Sequence, residues 1–123
     1  MSEHDEQAAL FKWAQYHEAA LPELRMMYAV PNGGLRDVRV ARKMKAEGVK
    51  AGVLDINLDV PRGGYHGLRI EMKYGKNKPT EKQRMWMDRY KSYNYKVEVC
   101  YNWIDAKNAI LAYLGDSDGT AKL

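Results

Sequence analysis

Apolar and aromatic residues recur at helical spacing near the start of the chain, at Leu10, Trp13, Ala14, His17 and Leu21, which predicts a helix with that face buried. Pro22 closes it, Ser2 suits its N-cap, and Glu3, Asp5 and Glu6 lie in its first turn, where acids complement the helix dipole. Arg25 to Val30 reads as a strand, and Pro31-Asn32-Gly33-Gly34 as a turn. A second helix is expected from about Arg36 to Glu47, with Val38, Ala41 and Met44 inward and Gly48 just past its end.

From Gly52 to Lys73 the period changes to two. Ile56, Leu58 and Val60 face one way, Asp55, Asn57 and Asp59 the other, and a glycine-rich connection around Gly63 leads into a second strand carrying Glu71 and Lys73. Thr80-Glu81-Lys82-Gln83 then fits a capping box and opens a helix with Trp86, Met87 and Tyr90 on its inner face. Lys96 to Tyr101 is expected as a strand with Val97, Val99 and Tyr101 on one face. A last helix, capped by Asn102 and lined by Ala106, Ala109, Ile110, Tyr113 and Leu114, ends at Gly115. The order αβαββαβα belongs to the α/β class with a mixed central sheet, antiparallel in the hairpin and parallel across the later strand-helix-strand crossover. A single domain over residues 1–115 is expected, with 116–123 a flexible tail.

The chain has 123 residues, 46% hydrophobic, enough for one core. Its net charge of +4, from 20 Lys plus Arg against 16 Asp plus Glu, permits a polyanionic partner without requiring one. Arg36, Arg39, Arg42, Lys43 and Lys45 cluster beside the Gly33-Gly34 loop, a pattern compatible with nucleic-acid backbone contact, although a solvated helix face accounts for any one of them. Cys100 stands alone in an apolar run, so neither a disulfide framework nor a cysteine-based zinc site is available, which fits a reducing cytosol. The start M-S-E-H-D-E-Q has no apolar leader-like run, and no stretch approaches the length of a membrane span, so a soluble cytoplasmic protein is expected. The nine tyrosines and three tryptophans could stack on bases, but their places on helix and strand faces favour core or subunit contact.

The hairpin carries the candidate chemistry. A register centred on Gly63 sets Asp55 opposite Glu71, with Lys73 on the same face. Two carboxylates suit a hard divalent cation, and a neighbouring amine suits holding or activating a water, which together describe a metal-dependent phosphodiesterase site. Asp59 competes with Asp55 but falls opposite Gly67 near the turn. Salt bridges of the two acids with Arg69 and Lys73 are the structural alternative. Glu6, one turn before Leu10, reads either as a carboxylate at the core margin or as an acid stabilising its own helix start. Gln83 reads equally as a cap or as a polar group held near the site.

The pattern D-x15-E-x-K at Asp55, Glu71 and Lys73 resembles the signature of the PD-(D/E)xK nucleases. Five further features are similar to the VRR-NUC family: Glu6 on an N-terminal helix, P-N-G-G-x-R at Pro31 to Arg36, G-x-x-D at Gly52 to Asp55, E-M-K at Glu71 to Lys73, and Gln83 opening the next helix. The resemblance implies a restriction-endonuclease-like αβββαβ core and DNA cleavage dependent on Mg2+ or Mn2+. Asp55, Glu71 and the Met72 carbonyl would hold the metal, Glu6 would complete its surroundings, Lys73 would orient or activate water, and Gln83 would support the site. Arg36, Arg39, Lys76 and Lys78 would grip the backbone. The resemblance further implies a homodimer acting on branched DNA in the manner of Holliday-junction resolvases, and a compact nuclease of this kind suits a phage or mobile element. Leu54 stands where the superfamily pattern often has proline. A catalytically silent DNA- or partner-binding module and a sequence-specific restriction enzyme are the competing readings.

Overall fold

Each helix starts where a side chain can satisfy its free amides. Ser2 caps the first helix, α1 (Glu3–His17), in a reciprocal box with Asp5, and Thr80 does the same with Gln83 for the third, α3 (Glu81–Ser92). Asp37 accepts from the Arg39 N–H at 2.8 Å at the start of α2 (Val38–Ala46), and Asn102 accepts from the Asp105 N–H at 2.8 Å at the start of α4 (Trp103–Gly115). Gly48, at φ +98°, ends α2 with its N–H on the Lys45 carbonyl while the Val49 N–H reaches Met44, the Schellman pattern. The computed structural model describes residues 2–31 and 37–115, so the turn at Asn32 to Gly34, Arg36 and the tail at 116–123 lie outside the described residues.

Four strands, β1 (Met27–Ala29), β2 (Ile56–Leu58), β3 (Leu68–Met72) and β4 (Lys96–Cys100), form one sheet in the order β1-β2-β3-β4. The first two pairings are antiparallel and β3 runs parallel to β4, the mixed α/β arrangement expected from the element order. In the hairpin Ile56 pairs with Ile70, Asn57 with Arg69 and Leu58 with Leu68, the register centred on Gly63. The reversal itself is a tight turn in which Arg62 and Tyr65 exchange both backbone hydrogen bonds around Gly63 and Gly64, at φ +56° and +85°.

One sheet face is apolar and the other is not. Ile56, Leu58, Leu68, Ile70 and Met72 join Leu10 and Ala14 of α1 and Ala106, Ile110 and Leu114 of α4 in the core. Strand alternation then turns Asn57, Arg69 and Glu71 to the opposite face; all three are buried, and α3 meets Glu71 through Gln83 and Arg69 through Tyr90. α3 therefore roofs a polar floor, and the candidate chemistry lies between the two.

Three expectations need correction. The strand expected from Arg25 begins at Met27, because Pro22 opens a short 3-10 turn over Pro22–Met26 that carries Leu24 into the core. The apolar face of α2 does not turn inward: no residue of the helix is buried, Val38 is 63% exposed, and α2 touches no other element extensively. The strand expected to run to Tyr101 ends one residue earlier, at Cys100, whose side chain is buried as expected.

Gly52 positions the segment that leads to Asp55. Its φ is +87°, and a Cβ there would lie 2.8 Å from the Lys82 Cβ and 2.9 Å from the Lys82 carbonyl carbon. Loop and helix approach each other too closely for any side chain. Gly52→Ala is expected to cost about 2–4 kcal/mol in chemical denaturation, against about 1 kcal/mol for Gly75→Ala, which has positive φ but open space around it.

Candidate active site

Asp55 stands one residue before β2, and continuing the ladder by one step sets it across from Glu71. Its Oδ2 accepts from the Met72 N–H at 2.9 Å, so the main chain of β3 fixes the carboxylate at the end of the strand pair. Glu71 is 2% exposed on the inner strand β3. Its Oε2 takes a hydrogen bond from Gln83 Nε2 at 2.9 Å and lies 3.4 Å from Lys73 Nζ. The Lys73 side chain is 11% exposed, and its N–H donates to the Cys100 carbonyl at 2.9 Å, tying this end of β3 to β4.

Both readings of Gln83 hold at once. Its Oε1 accepts from the Thr80 N–H at 2.8 Å, closing the capping box, while Nε2 points the other way and donates to Glu71. An amide offers an acceptor and a donor on opposite sides, so one side chain joins the helix start to the carboxylate. The remaining oxygen of Glu71, Oε1, is buried and has no hydrogen-bond partner.

Glu6 is brought near but not into this cluster. It is buried, and its Oε1 accepts from the Trp103 N–H at 3.2 Å, so it caps α4 rather than its own helix. Trp103 follows the end of β4 by three residues, which puts Glu6 at the same end of the sheet as Lys73. Among the described residues no three His, Cys, Asp or Glu side chains converge in a group ready to hold a metal, so Asp55 and Glu71 form a two-carboxylate centre with Glu6 at its margin.

Asp59 belongs to a different network. Arg69 Nη1 reaches it at 2.9 Å and the Tyr28 hydroxyl donates to it at 2.8 Å. Neither Asp55 nor Glu71 takes the Arg69 pairing considered for them. Of the basic candidates, Lys76 and Lys78 lie exposed just beyond Lys73, and Arg39 is exposed at the start of α2, beside its own cap Asp37 at 3.6 Å. Arg69 was legible as a position on this face, but its stacking against Tyr90 and Tyr95, at 5.3 and 4.5 Å, depends on where α3 ends and has no signal in the local sequence.

No protein-family model matches the chain, and no curated protein matches it either. Among solved structures, one described as a VRR_NUC domain protein is 27% identical, covers 100% of this chain and 98% of its own, and superimposes with a TM-score of 0.75. Over its whole length the chain is similar to this VRR-NUC domain protein. It is a nuclease-type domain, and Asp55, Glu71, Lys73 and Gln83 converge on one patch of it.

The electrostatics of this centre are set by burial. Burial pushes the Glu71 carboxyl up to about 8, helped by the Asp55 charge and opposed by Lys73, and burial also raises Asp55. One ammonium does not balance two desolvated carboxylates. Together with the unpartnered Glu71 Oε1, this donor set fits a divalent ion bound by hard oxygen ligands. Cys100, by contrast, is pushed up to about 12 by burial and is inert.

A raised carboxylate pKa stabilises the fold below the unfolded value and loses that contribution as pH rises through the folded one. In metal-free buffer, unfolding free energy is therefore expected to fall between about pH 4.5 and 8, by an amount of the order of a few kcal/mol. Urea denaturation across that range should show a much flatter profile for Glu71→Gln, and an equal slope in both proteins would contradict the assignment.

Proposed function

We propose that this VRR-NUC domain is a divalent-metal-dependent, structure-selective DNA endonuclease, acting on branched DNA in the manner of a Holliday-junction resolvase. The observation that supports it best is the buried Asp55 and Glu71 pair, with Lys73 Nζ 3.4 Å from Glu71 and one Glu71 oxygen left unpartnered. Asp55 and Glu71, with the Met72 carbonyl, would hold Mg2+ or Mn2+, and Glu6 would complete the surroundings. When bound, such an ion supplies Lewis acidity and neutralises charge growing on the scissile phosphate.

The chain's own residues supply the rest. Gln83 fixes Oε2 of Glu71 by its amide and leaves Oε1 free to ligate. The Met72 N–H holds one oxygen of Asp55 and so orients the other. Lys73, anchored by its ion pair and by the β3–β4 hydrogen bond, orients a water for in-line attack on phosphorus and eases its deprotonation. Arg36, Arg39, Lys76 and Lys78 grip the phosphate backbone without reading sequence. Two cuts on matched strands call for two sites, which a C2 homodimer provides.

The test is a cleavage panel of a four-way junction, a flap, a duplex and a single strand, each with Mn2+ or with EDTA. Cutting is expected to require the metal, to favour branched DNA, and to fall at least ~100-fold in Lys73→Ala and Asp55→Ala. Cutting in EDTA, or full activity in Lys73→Ala, would refute the mechanism. Discrete fragments from mixed-sequence duplex would instead favour a restriction-type enzyme.

A further inference from the structure

The polar floor under α3 continues away from the carboxylates into a second feature that the hydrolytic chemistry does not use. His66, Trp86, Arg89, Tyr90, Tyr93 and Tyr95 enclose an open cavity of about 440 Å³ at the far end of the helix. Its rings brace one another in the edge-on and tilted contacts usual for aromatic side chains. Tyr90 and Tyr95 meet edge to face at 5.5 Å, Trp86 and Tyr90 are tilted by 40° at 5.9 Å, and His66 meets Tyr95 edge-on at 5.9 Å, and all four rings line the void.

The frame is held from the main chain and from below. The Tyr95 N–H donates to the Tyr90 carbonyl at 3.0 Å, the His66 N–H to Asn94 at 2.8 Å, and Asn94 turns the chain at φ +64°. Beneath, the Arg69 guanidinium stacks on Tyr95 at 4.5 Å and on Tyr90 at 5.3 Å. At the rim, the Arg89 guanidinium lies over Trp86 at 5.1 Å. Among the described residues no acidic side chain lines the cavity, and Arg89 brings a positive charge to its wall.

The placement relative to the carboxylates is fixed by the same two elements. Arg69 is two residues from Glu71 on β3, about 7 Å along the strand. Trp86 follows Gln83 by three residues on α3, about 4.5 Å along the axis. A DNA strand with a phosphate at Glu71 thus brings a base within a few nucleotides of the cavity.

We propose that this cavity receives an unpaired nucleobase of the bound DNA, and that capture of the displaced base contributes the preference for branched or distorted substrates. The proposal rests on the nuclease reading above. A paired base has both faces stacked and its edge engaged, so it cannot enter; a base at a bulge, flap or opened junction can. Arg89 offers its guanidinium plane and charge, and Tyr93, 72% exposed, stands free to close over the base.

The test compares a duplex bearing one bulged 2-aminopurine with its fully paired counterpart, bound in Ca2+ to suppress cutting, by anisotropy and by 2-aminopurine emission. Wild type is expected to prefer the bulge and to quench its emission. Tyr93→Ala, at an exposed position, should weaken bulge binding about 10-fold and restore emission while changing paired-duplex binding less than 2-fold, and Tyr93→Phe should retain wild-type behaviour. Equal affinity for the two duplexes, a uniform loss on both, or bulge affinity untouched by Tyr93→Ala would overturn the proposal, the last leaving the cavity to a protein partner. If Mn2+-dependent cutting of branched DNA persists in any of these cases, the endonuclease reading stands without it. If neither cutting nor DNA binding occurs, both fall.

Discussion

The burial of Glu71 on an inner strand governs the rest of this site. A carboxylate that is 2% exposed loses nearly all its hydration, a cost of several kcal/mol unless other groups replace the water. Here the replacements are the Gln83 amide and the Lys73 ammonium, both on Oε2, while Oε1 receives nothing. Asp55 makes the deficit larger, because its own carboxylate is desolvated and faces the same patch. Two desolvated carboxylates facing one patch oppose each other's ionisation. The divalent ion proposed for this site would offset that opposition by ligating both acids.

α3 makes this arrangement possible. The helix covers the part of the sheet face bearing Arg69 and Glu71, which would otherwise be an exposed polar surface with ordinary, screened electrostatics. Its first turn supplies Gln83, and Lys82 in that turn presses against Gly52 so closely that the loop before Asp55 is fixed against the helix. Its last turns supply Trp86, Arg89 and Tyr90, which with Arg69 organise the aromatic cavity. A single helix thus couples the carboxylate centre to the proposed base site, and the strand spacing between Glu71 and Arg69 sets their separation.

Much of this arrangement is legible in the chain itself. The two-residue period and the glycines at 63 and 64 were enough to set the hairpin register, because a slip of one residue would have turned Ile56, Leu58 and Ile70 out of the core. That register in turn separated Asp55 from Asp59. The capping box at Thr80 was likewise local, since it needs only residues three apart. Less legible were the boundaries of β1 and the exposure of α2: the periodicity at Val38, Ala41 and Met44 marks a face able to be buried, and whether anything covers that face is not a local property.

The sequence by itself therefore determined the element order, the pairing of the central strands and the identity of the acid, acid and lysine on one face, since each follows from sterics and periodicity over a few residues. Tertiary structure alone decided what those groups touch. Gln83 spans from its cap to Glu71, Glu6 caps a helix 97 residues away in the chain, and Arg69 lies under rings from α3 and from the start of β4. These contacts join segments distant in sequence, and their geometry is set by how closely α3 and α1 pack on the sheet, a property of the whole core and not of any one stretch of chain.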